Sequence, residues 1–206
     1  MQLIDLERLR QATVFRAPFN FMIATDLIDT RHLGSLRADF PEIDQPGLFP
    51  ISELRYGATF AVLLDELLDQ EVQKIIEAAL DVSLAGCAHM TTVRSWCRTR
   101  DGRIHNDSRS KVASALLYLN PGWQAEGGRL RFLRNPIDID DVVAEVPPAA
   151  GTFVAFRRAE NSWHGHTPYA GPRRYVMINW INDPAVAERE RTRHRLTARV
   201  KRAAAW

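Results

Sequence analysis

The sequence contains only two cysteines, Cys87 and Cys97, and neither belongs to a C-x-x-C pair. A disulfide framework or a structural zinc site is therefore not expected, and both side chains should be small, half-buried apolar groups. No apolar run approaches the length that crosses a bilayer. Residues 1–8 also lack the basic-then-apolar order of a secretory signal. We therefore expect a cytoplasmic protein without a membrane partner.

Excess charge of one sign is also scarce. The formal net charge is +2, which is too small to predict a nucleic-acid partner. An apolar fraction of 46% and a charged fraction of 25% are ordinary for a globular protein, and a chain of 206 residues suits a single domain. Basic residues concentrate between 188 and 202, so we expect residues 184–206 to form a basic C-terminal surface helix. No feature of the sequence indicates an oligomeric state.

Residues 1–90 are expected to form a helical buttress and a first strand. Alternating aromatic and β-branched residues in the run from Val14 to Ala24 predict an extended strand near residues 14–30. A short helix should begin at Asp29 or Thr30 and end before Pro41. Between residues 58 and 80, apolar residues recur at helical spacing, which predicts two amphipathic helices joined near Asp69.

The sequence pattern changes after residue 90 to short runs rich in Val, Thr, Tyr, Phe and Trp. Strands are predicted at 91–99, 112–119, 129–133, 142–146, 152–156 and 175–181. Helices first and strands after predict an α+β, mainly β fold, in which a β-core over residues 91–183 packs against the N-terminal helices. The acidic loop 135–141 is interpreted as a solvated connector.

The pair His105 and Asp107 is the first candidate for chemistry. In a strand, residues i and i+2 share a face, so this H-x-D pair presents an imidazole beside a carboxylate. Alone it is a weak signal, because Asn106-Asp107-Ser108 also suits a solvated turn. From the residues alone, either His164 or His166 could complete a 2-His-1-carboxylate metal site.

An arginine in the last strand is the second candidate. Arg174 alternates with Val176, Ile178 and Trp180, so it is expected to point into the core, and Arg173 to the opposite face. A buried arginine is costly unless an anion pairs with it, and its guanidinium suits a bidentate carboxylate. Tyr118 lies among apolar neighbours and needs a partner for its hydroxyl if it is buried.

Several motifs occur in a fixed order along the C-terminal half. They are His105-Asn106-Asp107, Tyr118-Leu119-Asn120, Gly127-Gly128-Arg129-Leu130, the run from Pro148 to Phe156, His164, Arg174 and Trp180. Together they resemble the Fe(II)/2-oxoglutarate-dependent dioxygenases, specifically the prolyl 4-hydroxylase-like branch. The resemblance implies a double-stranded β-helix (jelly-roll) core.

The resemblance also implies roles for individual residues. His105, Asp107 and His164 would bind Fe(II), and Arg174 and Tyr118 would contact 2-oxoglutarate. O2 would be the oxidant, with ascorbate as an accessory reductant, and succinate and CO2 would be released. Because the carboxylate that related halogenases replace is present, hydroxylation of an unactivated C–H bond is favoured, while desaturation and ring formation stay open.

Substrate contacts are expected on the strand before His105 and at one departure from the family pattern. Candidates are Arg94, Trp96, Arg98 and Arg100, together with His166, which stands where the family usually has an apolar residue. A solvated basic face on an edge strand is the alternative interpretation of the arginines. The substrate class stays open among amino acids, peptidyl side chains and small molecules.

Two other functions are also compatible with the pattern. One is a cupin-type metal enzyme that does not use 2-oxoglutarate. The other is a non-enzymatic jelly-roll binding module, against which the complete ligand set argues. The fold alone does not decide among them.

Overall fold

Four α-helices buttress the β-core in the computed structural model, which describes residues 2–189, 192, 193 and 196. They are α1 (Leu6–Arg10), α2 (Thr30–Asp39), α3 (Ala58–Leu67) and α4 (Gln70–Leu80), with a 3-10 turn at Ile51–Glu53. The side chains of Asp29 and Asp69 accept backbone N–H groups at the starts of α2 and α4, which satisfies donors that lack an intrahelical partner. The predicted helix after Asp29 and the predicted pair between 58 and 80 are confirmed.

Ten β-strands form two antiparallel sheets within the described residues. They are β1 (Thr13–Phe15), β2 (Phe21–Ala24), β3 (Phe49–Pro50), β4 (Ala88–Cys97), β5 (Lys111–Tyr118), β6 (Leu130–Leu133), β7 (Val142–Val146), β8 (Phe153–Arg157), β9 (His164–Gly165) and β10 (Gly171–Ile181). The larger sheet has the order β1-β2-β8-β5-β10-β4-β3, and the smaller one has the order β7-β6-β9.

The larger sheet is buried on both faces, and this arrangement positions the site. One face packs on the helices through residues such as Val176, Ile178 and Trp180. The other face meets the smaller sheet around Phe132 and Phe21, whose rings stack at 4.2 Å. Two facing sheets with helices outside them confirm the predicted mainly β, jelly-roll fold.

Besides the earlier starts of β4 and β10, by three and four residues, the structure departs from the predicted strands in two places. Residues 14–24 form two short paired strands, β1 and β2, rather than one strand. Pro18 lies between them, and a proline lacks the N–H that a continuous ladder needs. The other departure is that β3 and β9 were not predicted, because strands of two residues are too short to show alternation.

Three further expectations concern the ends of the chain and the cysteines. Among the described residues, no helix is long and apolar enough to cross a bilayer. The predicted C-terminal basic helix falls largely outside the described residues, although residues 184–189 are helical. Cys87 and Cys97 are both free; the first is half-buried and the second is fully buried.

Candidate metal centre

Three side chains meet at the mouth of the β-core with ligand atoms within 4.8 Å of one another: His105, Asp107 and His164. His105 lies outside the named strands but forms a bridge with His164, through reciprocal backbone hydrogen bonds of 3.0 and 2.9 Å. That bridge fixes the two imidazoles side by side, with ring centroids 4.4 Å apart. The carboxylate two residues after His105 completes the group.

Hydrogen bonds fix the tautomer of both imidazoles. Nδ1 of His105 lies 2.8 Å from the carbonyl of Arg103, and Nδ1 of His164 lies 2.9 Å from the carbonyl of Ser162. A carbonyl can only accept, so each Nδ1 carries a proton, and the neutral form of each ring has its lone pair on Nε2. Burial, together with the neighbouring His105, lowers the pKa of His164 to about 4, which keeps this imidazole neutral and able to bind a metal.

The carboxylate of Asp107 is 8% exposed and is held from two sides. Burial alone would raise its pKa, but the Lys111 ammonium, 2.7 Å from Oδ1, and the Ser114 hydroxyl, 2.5 Å from Oδ2, outweigh it. The pKa of Asp107 therefore falls to about 2, and the group is a carboxylate throughout the physiological range. A carboxylate has further lone pairs after accepting two hydrogen bonds, so it can still bind a metal.

Ser114 links Asp107 to a second buried polar group, Asn179. The Ser114 hydroxyl lies 2.8 Å from Oδ1 of Asn179, as well as beside Asp107. A hydroxyl has one hydrogen, so it can donate to only one of these two oxygens; turning the Asn179 amide over lets Nδ2, which otherwise has no partner, donate to Ser114 while Ser114 donates to Asp107. This chain of hydrogen bonds fixes the orientation of Asp107.

A cavity of about 200 Å³ extends inward from the three ligands between the two sheets. Its apolar walls include Leu116, Leu130, Phe156 and Met177. Such walls keep water away from the interior, which strengthens electrostatic interactions there. Polar groups also line the cavity, among them the metal-ligand set and a buried arginine.

That arginine is Arg173, which is 3% exposed. Its Nε donates to the carbonyl of Gly128 over 2.8 Å, and one terminal nitrogen donates to the hydroxyl oxygen of Tyr118 over 3.2 Å. Gly128 has a φ of +78°, and a Cβ there would meet Trp123 and Tyr169, so only glycine presents its carbonyl in this way. No carboxylate pairs with Arg173 among the described residues, which leaves a buried cation facing the cavity.

Arg174 does not reach the cavity, so its predicted position is wrong. Its guanidinium lies 5.7 Å from the Phe40 ring, on the helix-packed face of the larger sheet. Alternation with Val176, Ile178 and Trp180 was predicted correctly, but those residues face the helices. Since successive side chains point to opposite faces, Arg173 points to the cavity with Tyr175.

The remaining predicted site residues divide into two groups. Tyr118, Arg94 and His166 line the cavity, whereas Trp96, 42% exposed, and Arg98 lie outside it. Arg94 donates to Asp101 over 2.6 Å. Burial, with the charge of Arg173, lowers the pKa of His166 to about 4.

The ring of His166 packs closely against the backbone that precedes the ligands. A Cβ on Gly102 would overlap this ring, and the backbone N–H of His166 donates to the carbonyl of Gly102 over 2.8 Å. The loop before His105 is thereby attached to the strand that carries His164.

Sequence reasoning missed four residues of the site: Arg173, Lys111, Ser114 and Asn179. Arg173 had a usable signal, because it alternates with Tyr175, Met177 and Asn179, a mixed polar and apolar set that is typical of a cavity wall. Lys111 and Ser114 look like ordinary strand residues, and Asn179 lies far from them in sequence. Only strand pairing, which opposes Asn179 to Ser114, brings them together.

Comparisons with known proteins agree with this geometry. Residues 93–182 match the family model of the 2OG-Fe(II) oxygenase superfamily. No curated protein matches the chain by sequence. Among solved structures, a Pseudomonas putida prolyl-4-hydroxylase is similar, with a TM-score of 0.58 and 20% identity over 87% of this chain and 100% of that one.

Two further solved structures share the fold. A prolyl 4-hydroxylase from Phytophthora capsici aligns with a TM-score of 0.53 and 17% identity, covering 90% of this chain and 69% of that one. A viral collagen prolyl hydroxylase from Paramecium Bursaria Chlorella virus-1, solved as a 2OG complex, aligns with a TM-score of 0.50 and 12% identity, covering 78% and 94%. The resemblance expected from the sequence is confirmed: residues 93–182 match the 2OG-Fe(II) oxygenase superfamily, a family of Fe(II)- and 2-oxoglutarate-dependent oxidoreductases, and the fold is that of the prolyl 4-hydroxylases.

Proposed function

We propose that the chain is a hydroxylase in which His105, Asp107 and His164 hold Fe(II) and Arg173 holds the distal carboxylate of 2-oxoglutarate. The observation that carries the proposal is the pairing, in one cavity, of a complete 2-His-1-carboxylate set with a buried arginine that lacks a carboxylate partner among the described residues. Two histidines and one carboxylate are the donor set of non-haem Fe(II) oxygenases. The donor set therefore fits the metal that the family uses.

The groups around Arg173 support binding of a carboxylate. Because the Tyr118 oxygen accepts from Arg173, its phenolic hydrogen is free to donate to an anion in the cavity. Arg173 and Tyr118 together offer charge-assisted hydrogen bonds in a site with little water, where such bonds are strongest. In this proposal Arg173 takes the role that the sequence had assigned to Arg174.

The chain's own residues hold the ligands and orient the reactants. The carbonyls of Arg103 and Ser162 keep each histidine in the tautomer that exposes Nε2. Lys111 and Ser114 hold Asp107 as a carboxylate in one orientation. When bound, iron would supply the oxidative chemistry with O2 and 2-oxoglutarate, with ascorbate as an accessory reductant.

The substrate of the proposed hydroxylase is an amino acid, a peptidyl side chain or a small molecule with an unactivated C–H bond. The names of the similar structures refer to prolyl hydroxylases, which supports a peptidyl substrate. We keep a cytoplasmic location and the absence of a nucleic-acid partner as predictions from the sequence.

The test is an anaerobic titration of the Fe(II)-loaded protein with 2-oxoglutarate, followed by its visible metal-to-ligand charge-transfer band. Wild type should show the band and should release succinate when O2 is admitted. His164→Ala should lose both, whereas His32→Ala, a control on α2, should keep them. Iron binding without the band would discard 2-oxoglutarate and favour a cupin-type metal enzyme, and failure of wild type to bind iron would favour a binding module.

A further inference from the structure

The charges that line the cavity do not balance. The lining contains three cations, Arg94, Lys111 and Arg173, but only two carboxylates, Asp101 and Asp107. Each carboxylate already has a cation beside it: Asp101 pairs with Arg94 over 2.6 Å and Asp107 with Lys111 over 2.7 Å. One positive charge therefore remains in the cavity of the protein alone.

Binding of the metal and the cosubstrate does not remove this excess. A divalent iron and a dianionic 2-oxoglutarate cancel each other, and histidine binds a metal as neutral imidazole. The completed site keeps one positive charge in an enclosed cavity, where an unbalanced charge is costly. An anionic group on the primary substrate would balance it.

A cluster of exposed arginines adjoins the same cavity. We call Arg98, Arg100 and Arg103 the basic rim; all three are exposed. None of the three forms an ion pair with another residue in the described part of the chain. Their positive charge is thus available to an incoming anion.

Backbone contacts place the basic rim beside the ligands. Arg98 lies in a turn closed by Asp101, whose backbone N–H donates to the Arg98 carbonyl over 2.9 Å. Gly102, the next residue, lines the cavity and accepts a hydrogen bond from the backbone of His166. The carbonyl of Arg103 accepts from His105 itself. A molecule that enters the cavity over this turn passes these arginines.

We propose that the primary substrate carries a carboxylate, which the basic rim attracts and the excess positive charge of the cavity accommodates. This inference rests on the proposed hydroxylase function and names the substrate class of the same site. The carboxylate can belong to a free acid or to an acidic side chain in a peptide. Clefts lined by one sign of charge concentrate ligands of the opposite sign and speed their association.

A single-stranded nucleic acid fits these features less well. Such ligands bind where a basic groove alternates with several aromatic stacking platforms. Between Arg94 and Lys111 the sequence offers one such platform, Trp96. The other ring in this stretch is the imidazole of His105, which is a proposed metal ligand. The cavity of about 200 Å³ must also hold 2-oxoglutarate, which leaves room for a small group rather than a nucleobase.

Binding to protein loaded with Mn(II) and 2-oxoglutarate tests the proposal without turnover. The peptide probe is a rhodamine-labelled, terminally blocked decapeptide with five glutamates, compared by fluorescence anisotropy with the same peptide carrying glutamines. The free-acid probe is L-glutamate, compared with L-glutamine by calorimetry. At least one glutamate probe should bind more tightly than its amide counterpart, and the difference should shrink as salt is raised.

Variants identify the residues responsible. Removing one exposed charge beside an anion typically costs about threefold in affinity, so Arg98→Gln/Arg100→Gln should weaken glutamate-probe binding by about tenfold. Arg31→Gln, an exposed arginine on α2, is the matched control and should bind as wild type. Equal binding of glutamate and glutamine probes, an unaffected double variant, or tighter binding of a labelled oligonucleotide would each overturn the proposal.

The charge-transfer band distinguishes this inference from the proposed function. The double variant should keep the Fe(II)–2-oxoglutarate band, because the basic rim lies outside the cosubstrate pocket. A normal band without preference for the glutamate probes would refute the carboxylate substrate alone. A missing band in wild type would refute the proposed function and this inference together.

Discussion

Exchanging the two adjacent arginines of β10 for alanine tests which one binds 2-oxoglutarate. Arg173 is 3% exposed, lines the cavity and donates to the Tyr118 hydroxyl, whereas Arg174 packs on Phe40 at the opposite face of the sheet. We expect Arg173→Ala to abolish tight binding of the cosubstrate and Arg174→Ala to leave it almost unchanged. The two variants remove the same atoms from neighbouring positions, so each controls for the other.

The size of the effect follows from the burial of Arg173. Truncating one partner of a buried, hydrogen-bonded charge pair costs about 2–5 kcal/mol. Since each 1.4 kcal/mol is a factor of ten, a loss of about 3 kcal/mol raises the dissociation constant of 2-oxoglutarate roughly 100-fold. Arg173→Lys keeps the charge but loses the two-pronged donor geometry, so its effect should be smaller, roughly tenfold.

The assay is the anaerobic charge-transfer titration of Fe(II)-loaded protein, with circular dichroism to establish that each variant is folded. A weak-binding variant needs proportionally more 2-oxoglutarate for the same band, so the dissociation constant is read directly. The reasoning is refuted if Arg174→Ala weakens binding more than Arg173→Ala, or if folded Arg173→Ala binds 2-oxoglutarate as wild type does.

Three further predictions follow from other contacts. Ser114→Ala removes a hydrogen-bond donor from Asp107 and should weaken metal binding by about tenfold, whereas the control Ser110→Ala should not. Dialysis against a metal buffer measures the metal affinity of both variants. Equal affinities would contradict the role of Ser114 in orienting Asp107. Phe132→Ala removes one ring from a fully buried aromatic cluster and should lower the free energy of unfolding by about 3–5 kcal/mol. Urea denaturation measures this change, and a loss below about 1 kcal/mol would contradict the close packing of this ring. The pKa of His166 is about 4 in the folded protein, below its ordinary value of 6.5. The unfolded chain therefore binds this proton at a higher pH than the folded protein does. The free energy of unfolding of the metal-free protein, prepared with a chelator, should fall as pH is lowered from 6.5 to 4. In His166→Leu this slope should be shallower by up to about 1.4 kcal/mol per pH unit, and an identical slope would be inconsistent with the lowered pKa.

Periodicity in the sequence predicted most elements that have one buried face. The helices between 58 and 80 were predicted because their apolar residues recur at helical spacing, and α3 and α4 match that pattern. Strands β5 to β8 lie within one residue of their predicted bounds, because each is a short run rich in β-branched and aromatic residues. The short strand β9 has no such pattern, since its two residues are fixed by pairing with β6 and by the bridge to His105.

The metal-ligand candidates were accessible from sequence because their spacing is local or belongs to a family pattern. His105 and Asp107 are two residues apart, and His164 was chosen over His166 only through the family resemblance. Their supporting groups were not accessible. Ser114 and Asn179 are joined by the register of β5 against β10, and no spacing in the sequence encodes that contact.

The choice between Arg173 and Arg174 shows where alternation stops being informative. Alternation assigns residues to two sets, but it identifies the buried face only when the other face is exposed to water. Strand β10 is buried on both faces, so the uniformly apolar set of Val176, Ile178 and Trp180 indicates contact with helices, not proximity to the site. A cavity wall must instead supply polar groups among apolar ones, and the set that contains Arg173 has this composition. In a doubly covered strand, the mixed face is therefore the better predictor of the functional one.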